Sequence, residues 1–334
     1  MPNLNPAPDS PEALQIEQEI IAKDAVVKVY PYACITKDRA GQELVDMPRL
    51  CREVLAFSDD GSGVQSEEQM RAAMKMAKDC ASLIAAHCED ETLLYQGYIH
   101  DGAYAAAHGH RGISSESEFA QICRDLQLVR ETDCQYHVCH ISTKESVELI
   151  RQAKTEGLAV SCETAPHYLV LCDEDLQEDG RFKMNPPIRS RLDREALISG
   201  LLDGTIDIIA TDHAPHSFEE KSRGLEGSAM GIVGLETAFP VLYTHLVLPG
   251  VLTLAQLVNL MSIRPRQIFN LPDVVVDAGY PADLTLLNLS QKHIIDPTRF
   301  LSQGSSTPFA GWPVTGQSVL TMVNGIIVYQ SEDF

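Results

Sequence analysis

Basic residues are in short supply. Lys and Arg number 26 against 47 Asp and Glu, a formal net charge of −21. Nucleic acid and anionic membranes both repel such a surface, so neither is expected as a partner. Aromatic residues make up only 6%, with a single Trp. No apolar run approaches the roughly 20 residues that a membrane helix needs, and no signal-peptide pattern is read. The nine cysteines contain no Cys-x-x-Cys pair. Several lie inside apolar runs, Cys139 in YHVCHIS and Cys162 in AVSCETAPH, which suits buried thiols in a reducing cytosol better than a disulfide framework. A cytoplasmic location is expected.

What is present is a chain of 334 residues, 44% hydrophobic, enough for one large domain or two. Short apolar runs alternate with longer amphipathic ones. Strands are expected at 26–30, 54–57, 82–86, 136–139, 158–162 and 206–211. Helices are expected near 11–22, 66–80, 115–130, 144–156, 192–203, 233–246 and 253–262, the last ending before Arg264-Pro265. Asp9 or Ser10 can cap the first helix, with Pro11 in its first turn. Strand, helix, strand in repetition predicts parallel βαβ units. From about 275 the pattern changes to short strands with an Asn324-Gly325 turn, so 1–274 is read as the main domain and 275–334 as a small β appendage.

Each strand candidate runs into a polar cluster at its C-terminal end: YPYACIT, SDDG, HCED, HIST, ETAPH and TDHAPH. A doubly wound sheet places ligands at one switch point. Decoration of every strand end is the arrangement of a (β/α)8 TIM-type barrel, whose site lies at the C-terminal ends of its strands. The fold class expected is therefore α/β with such a barrel. Six strand candidates fall short of eight, and MPNLNP reads as a seventh polar cluster. The expectation is that two strands precede Met1.

Five residues in these clusters carry chemistry. His87, His140, His167, Asp60 and Asp212 each sit at a strand end. A lone histidine is more often structural. Imidazoles and carboxylates converging on one barrel rim instead suit Zn2+ or another borderline divalent metal.

The series MPNLNP, SDDG, AHCED, YHVCHISTKESVELI, CETAPHYL, KMNPPIR, IATDHAPHSFEEK and GIVGLETAFP resembles class I dihydroorotase of the amidohydrolase superfamily, in the family's order, over residues 1 to about 270. The tail, with ADLTLLNL and NGIIVYQ, resembles part of the family's β-sandwich. The resemblance implies reversible interconversion of N-carbamoyl-L-aspartate and L-dihydroorotate in pyrimidine biosynthesis, by a metal-activated hydroxide with an Asp acid/base. It implies two zinc ions, with Asp60 bridging them, His87 and His140 on the second, and Asp212 on the first and also the catalytic acid/base. Asn3, Asn185, His216, Met230 and Gly231 match positions that contact the substrate. A homodimer and an aspartate transcarbamoylase partner are further expectations.

Other readings compete. One is a non-catalytic scaffold for aspartate transcarbamoylase. Another is an amidohydrolase acting on a hydantoin, dihydropyrimidine or allantoin ring. NPPIR and the aspartate at 60 favour dihydroorotase over the latter. His108 and His110 in HGHR follow a helix-like run and are read as structural, as are Lys28 and Arg189, while His167 is read as a packing residue or one that supports the ligands from behind. Cys88 should point away from the site. The family's first strand carries His-x-His and then an arginine, and the expected counterpart is not read here. The 334 residues alone are accordingly expected to turn over dihydroorotate poorly.

Overall fold

The computed structural model describes residues 1–332. The chain forms two compact units. The first comprises Met1–Tyr95, Ile113–Glu163 and Ser199–Ile206, and the second comprises Gln96–Gly112, Thr164–Ile198 and the chain from Asp207 onward.

The first unit is a parallel α/β layer. Its strands are β1 (Ala33–Cys34), β2 (Phe57–Ser58), β3 (Leu83–Ala86), β4 (Gln135–Val138) and β5 (Val160–Thr164), hydrogen-bonded in that order. Register follows from burial on both faces. Ile84 lies opposite Tyr136 and Ala86 opposite Val138, while His137 lies opposite Ser161. The connections are helical, as parallel pairing requires. A helix α1 (Pro11–Asp24) precedes β1, and the connections include α2 (Glu67–Asp79), α3 (Glu116–Thr132) and α4 (Lys144–Thr155). In α2 the buried residues are Met70, Ala73, Met74 and Ala77, the three- and four-residue spacing of one helical face. Ser10 caps α1, its Oγ accepting from Ala13 N at 3.3 Å.

The second unit contains the short strand β6 (Ile208–Ile209) and an antiparallel sheet of β7 (Leu284–Ile294), β8 (Pro313–Val323) and β9 (Ile326–Gln330). Asn324 and Gly325 join β8 to β9 with φ of 49° and 80°. Two left-handed central residues make the tight hairpin turn that suits twisted strands. A core cluster of this unit includes Tyr98, Phe182, Ile232, Val241 and Phe309.

Two expectations are corrected. Residues 26–30 are not a strand: Val26, Val27, Val29 and Tyr30 are exposed, and the strand forms at Ala33–Cys34, which is wholly buried. A parallel strand needs both faces covered, and Pro31 has no N–H to give to a ladder. The helix expected to stop before Arg264-Pro265 continues as Arg264–Ile268. A π-helical turn, Asn259–Ile263, immediately precedes it, and Pro265 enters near the start of the new segment, where a missing N–H costs least.

Candidate metal and substrate site

The first unit brings Asp60, His87 and His140 together. His87 Nδ1 lies 3.1 Å from His140 Nε2, His140 Nε2 lies 3.2 Å from Asp60 Oδ1, and His87 Nδ1 lies 3.9 Å from the same oxygen. All three residues are buried. A tetrahedral ion with bonds of about 2.0–2.2 Å needs ligand atoms about 3.4 Å apart, so these donors fit one divalent cation. Two imidazoles and a carboxylate are also the donor set that borderline metals favour.

Local structure explains the convergence. Each residue follows a strand end: Asp60 after β2, His87 after β3, His140 after β4. Asp60 N donates to Ser58 Oγ at 3.0 Å, and Arg39 Nη1 donates to Asp60 O at 2.9 Å. The neighbouring Asp59 carboxylate accepts from Ile35 N at 2.8 Å and Thr36 N at 3.0 Å, tying the end of β1 to that of β2. His87 turns its other ring nitrogen toward Glu89, 3.7 Å away. His140 has φ of 34°, a strained conformation for a non-glycine residue. Burial alone would raise the Asp60 pKa. The hydrogen bond and charge of His140, with the charge of His87, outweigh it and hold the carboxyl at about 2. Asp60 is thus ionised, the form a cation requires. Asn3 Nδ2 reaches Asp60 Oδ2 at 3.4 Å.

The second unit holds the other expected site residues. Asp212 stands at the end of β6 with φ of 47°, again left-handed. The segment after it is held by backbone contacts. Ala214 N donates to Ile232 O at 2.9 Å, and Gly231 N donates to Lys183 O at 3.1 Å, two residues before Asn185. His216 Nε2 lies 2.9 Å from Met230 O. Gly231 has φ of +140°, and a Cβ there would meet Ala214 O at 2.6 Å. So this unit gathers His216, Met230 and Gly231 at one place. A cavity of about 430 Å³ opens beside His216, lined also by Arg181, Phe218 and Lys221.

Residues read as structural have structural partners. Tyr98 Oη and Glu178 Oε1 lie 2.8 and 2.7 Å from the two ring nitrogens of His110. His108 Nδ1 is 2.9 Å from Tyr104 O. His167 packs edge-on against Tyr168, Arg189 is buried, with Nη1 3.4 Å from His100, and Lys28 is exposed. Cys88 Sγ lies 3.3 Å from Tyr136 Oη, which donates to Asp125 on α3.

A second group of metal-ligand types, His137, Cys139 and Glu163, also lies in the first unit. His137 Nδ1 is 2.7 Å from Ser161 Oγ and its Nε2 is 3.2 Å from Glu163. The motif reading passed over His137, Glu163 and Glu89. For His137 and Glu163 the signal was alternation: in β4 and β5 the polar residues His137, Ser161 and Glu163 occupy every second position.

Comparison with known proteins fixes the family. A Dihydro-orotase-like family model matches residues 1–146. A dihydroorotase of Shouchella clausii is 52% identical over 334 residues, covering 99% of this chain and 78% of the relative. A dihydroorotase of Bacillus caldolyticus is 52% identical over 332 residues, with the same coverage. The chain belongs to the dihydroorotase family. Among solved structures, an L-hydantoinase of Arthrobacter aurescens superposes with a TM-score of 0.87 at 28% identity, over 99% of this chain and 76% of that one. A dihydropyrimidinase of Brevibacillus agri gives 0.82 at 21%, over 96% and 73%, a likeness of fold. The fold class is the α/β TIM-type barrel that the strand-end clusters implied, of the amidohydrolase kind that the resemblance implied. No helix among the described residues is long and apolar enough to cross a membrane.

Proposed function

We propose that this dihydroorotase-family chain interconverts L-dihydroorotate and N-carbamoyl-L-aspartate as a zinc-dependent cyclic amidohydrolase. The observation that carries the reading is the buried Asp60–His87–His140 cluster in a chain 52% identical to dihydroorotases over nearly its whole length. Asp60, His87 and His140 would hold one zinc, and Asp212 is the chain's candidate ligand for a second. Zinc bound there would supply an activated water and polarise the amide carbonyl.

The chain's own residues do the rest. The Asp212 carboxylate takes the proton released as water oxygen adds to the ring carbonyl carbon, then delivers it to the ring nitrogen as the C–N bond breaks. Ring closure runs the same transfers backward. Asn3, Asn185, His216 and the backbone at Met230 and Gly231 orient the ring and its substituents by neutral hydrogen bonds. The same proposal includes a barrel over 1–274 with a β appendage over 275–334, a cytoplasmic location, a homodimer and an aspartate transcarbamoylase partner. Particle mass in solution, with and without that enzyme, tests the last two.

The deciding assay follows dihydroorotate ring opening by the folded, zinc-loaded protein. The measure is the ratio of wild type to Asp212→Asn. Chelator-sensitive turnover that disappears in the variant supports the proposal. The likeness to a hydantoinase favours one second reading, a hydantoin-ring substrate. Opening of hydantoin without opening of dihydroorotate would establish that reading instead.

A further inference from the structure

We infer that Glu118 is a positioning residue for His140, and through it for the bound cation. The inference rests on the reading that Asp60, His87 and His140 hold a metal.

Glu118 lies in the first turn of α3 and is buried, 3% exposed. Its carboxylate collects five donors from the segment just after His140. Ser142 N donates to its two oxygens at 3.0 and 3.2 Å, and Ser142 Oγ donates as well. Thr143 N and Thr143 Oγ1 each donate at 3.0 Å, and Ser146 Oγ donates at 2.6 Å. Thr143 is also the N-cap of α4, accepting from Ser146 N at 3.3 Å. The anion therefore sits where the amides of α4 present partial positive charge.

The consequence for His140 is local. Its left-handed φ of 34° is a conformation that persists only where its surroundings over-determine it. On one side Cys139 N donates to Ala86 O at 3.0 Å, and Ile141 N donates to Glu163 O at 2.8 Å. On the other side the chain is pinned two residues later by Glu118. Without that anchor the 142–146 turn loses the acceptor shared by its five donors, and a shift of that turn carries the His140 imidazole out of register with Asp60 and His87. Partners bonded directly to a ligand are typically worth about 10–100-fold in metal affinity, and Glu118, one step further out, belongs at the low end of that range.

Glu118→Gln conserves volume but turns an amide NH2 toward N–H and O–H donors. The test measures Zn2+ affinity of the full chain by competition with a chromophoric chelator, together with the visible spectrum of the Co2+-substituted protein. Asp193→Asn is the comparator. Asp193 is another buried carboxylate, accepting from Ser190 N at 3.1 Å at a helix start in the second unit. The expected result is weaker Zn2+ binding by about 10-fold and a shifted Co2+ spectrum for Glu118→Gln. Asp193→Asn should lower the Tm and leave both metal readouts unchanged. Wild-type affinity and spectrum in folded Glu118→Gln would overturn the inference while leaving the metal site standing. Wild-type protein that binds no cation would overturn the metal reading itself. If Glu118→Gln does not fold, Ser142→Ala and Ser146→Ala each remove one hydroxyl donor. Partial loss of affinity in both supports the inference, and unchanged affinity in both refutes it.

Discussion

The two units build their candidate site residues by different means. In the first, Asp60, His87 and His140 stand at the ends of adjacent parallel strands, and strand register sets their spacing. Buried carboxylates tie those ends to neighbouring segments, Asp59 to 35–36 and Glu118 to 142–146. In the second, His216, Met230 and Gly231 belong to loops that touch backbone to backbone. The contact depends on the missing side chains of Gly231 and Gly234, whose Cβ atoms would meet carbonyl oxygens at 2.6 and 2.7 Å. A site set by register tolerates side-chain changes that keep the strands. A site set by glycine contact has no such margin.

The sharpest way to break this comparison is Asp212→Asn. If the first unit's cluster is a self-sufficient cation site, the variant should keep the metal bound by Asp60, His87 and His140 while kcat falls about 10²–10⁴-fold, the usual worth of a positioned acid/base. Steady-state kinetics with metal analysis on the same sample checks both halves. Complete loss of metal along with activity would show that the first unit does not hold its ion alone.

The contrast also accounts for what was legible beforehand. Polar clusters after successive apolar runs marked the strand ends, so Asp60, His87 and His140 could be picked out and the α/β class inferred. The supporting carboxylates could not. In sequence Glu118 is one of two glutamates opening a helix, where acidic residues are common because they complement the helix dipole. Only the fold shows that its side chain turns inward to the 142–146 turn. The run 26–30 misled because β-branched residues look alike whether they pair in a sheet or lie exposed. Pro265 misled because a π-turn can carry a helix past it.

A pH titration probes the second unit on its own terms. His100 is buried, and that burial, with the Arg189 charge beside it, holds its pKa at about 4 against an ordinary 6.5. A histidine with a depressed folded pKa binds fewer protons folded than unfolded, so its contribution is fully present above 6.5 and is lost as pH falls toward 4. The full loss is about 3 kcal/mol. Chemical denaturation at pH 7 and pH 4.5 should show much of that difference in wild type and much less in His100→Gln. An equal pH dependence in the two proteins would contradict the assignment.

Gly231→Ala tests the glycine contact. The added Cβ meets Ala214 O at 2.6 Å on a backbone with φ of +140°. The cost is about 1–3 kcal/mol from the backbone conformation alone, and relief of the contact should displace the His216 segment. The Tm should fall and KM for dihydroorotate should rise, with the metal content of the first unit unchanged. Thermal melts, kinetics and metal analysis together separate this from general unfolding. A Gly231→Ala protein with wild-type KM would mean that the backbone here does not shape the substrate site.

Asn3→Ala should have the smallest effect on stability and sharpens the comparison most finely. Asn3 is the exposed member of an otherwise buried group, reaching Asp60 through a hydrogen bond of 3.4 Å, near the limit of such contacts. Removing an exposed, long bond should change stability by less than about 0.5 kcal/mol. Asp60 would keep its ionising partners His140 and His87, so zinc affinity should also hold. If Asn3 contacts the substrate as proposed, KM should nonetheless rise several-fold, because a hydrogen bond made to the ring is lost while the cation site stands. A fall in zinc affinity without a change in KM would instead make Asn3 a support for Asp60, as Glu118 is for His140. Chelator competition and KM on one preparation distinguish the two roles.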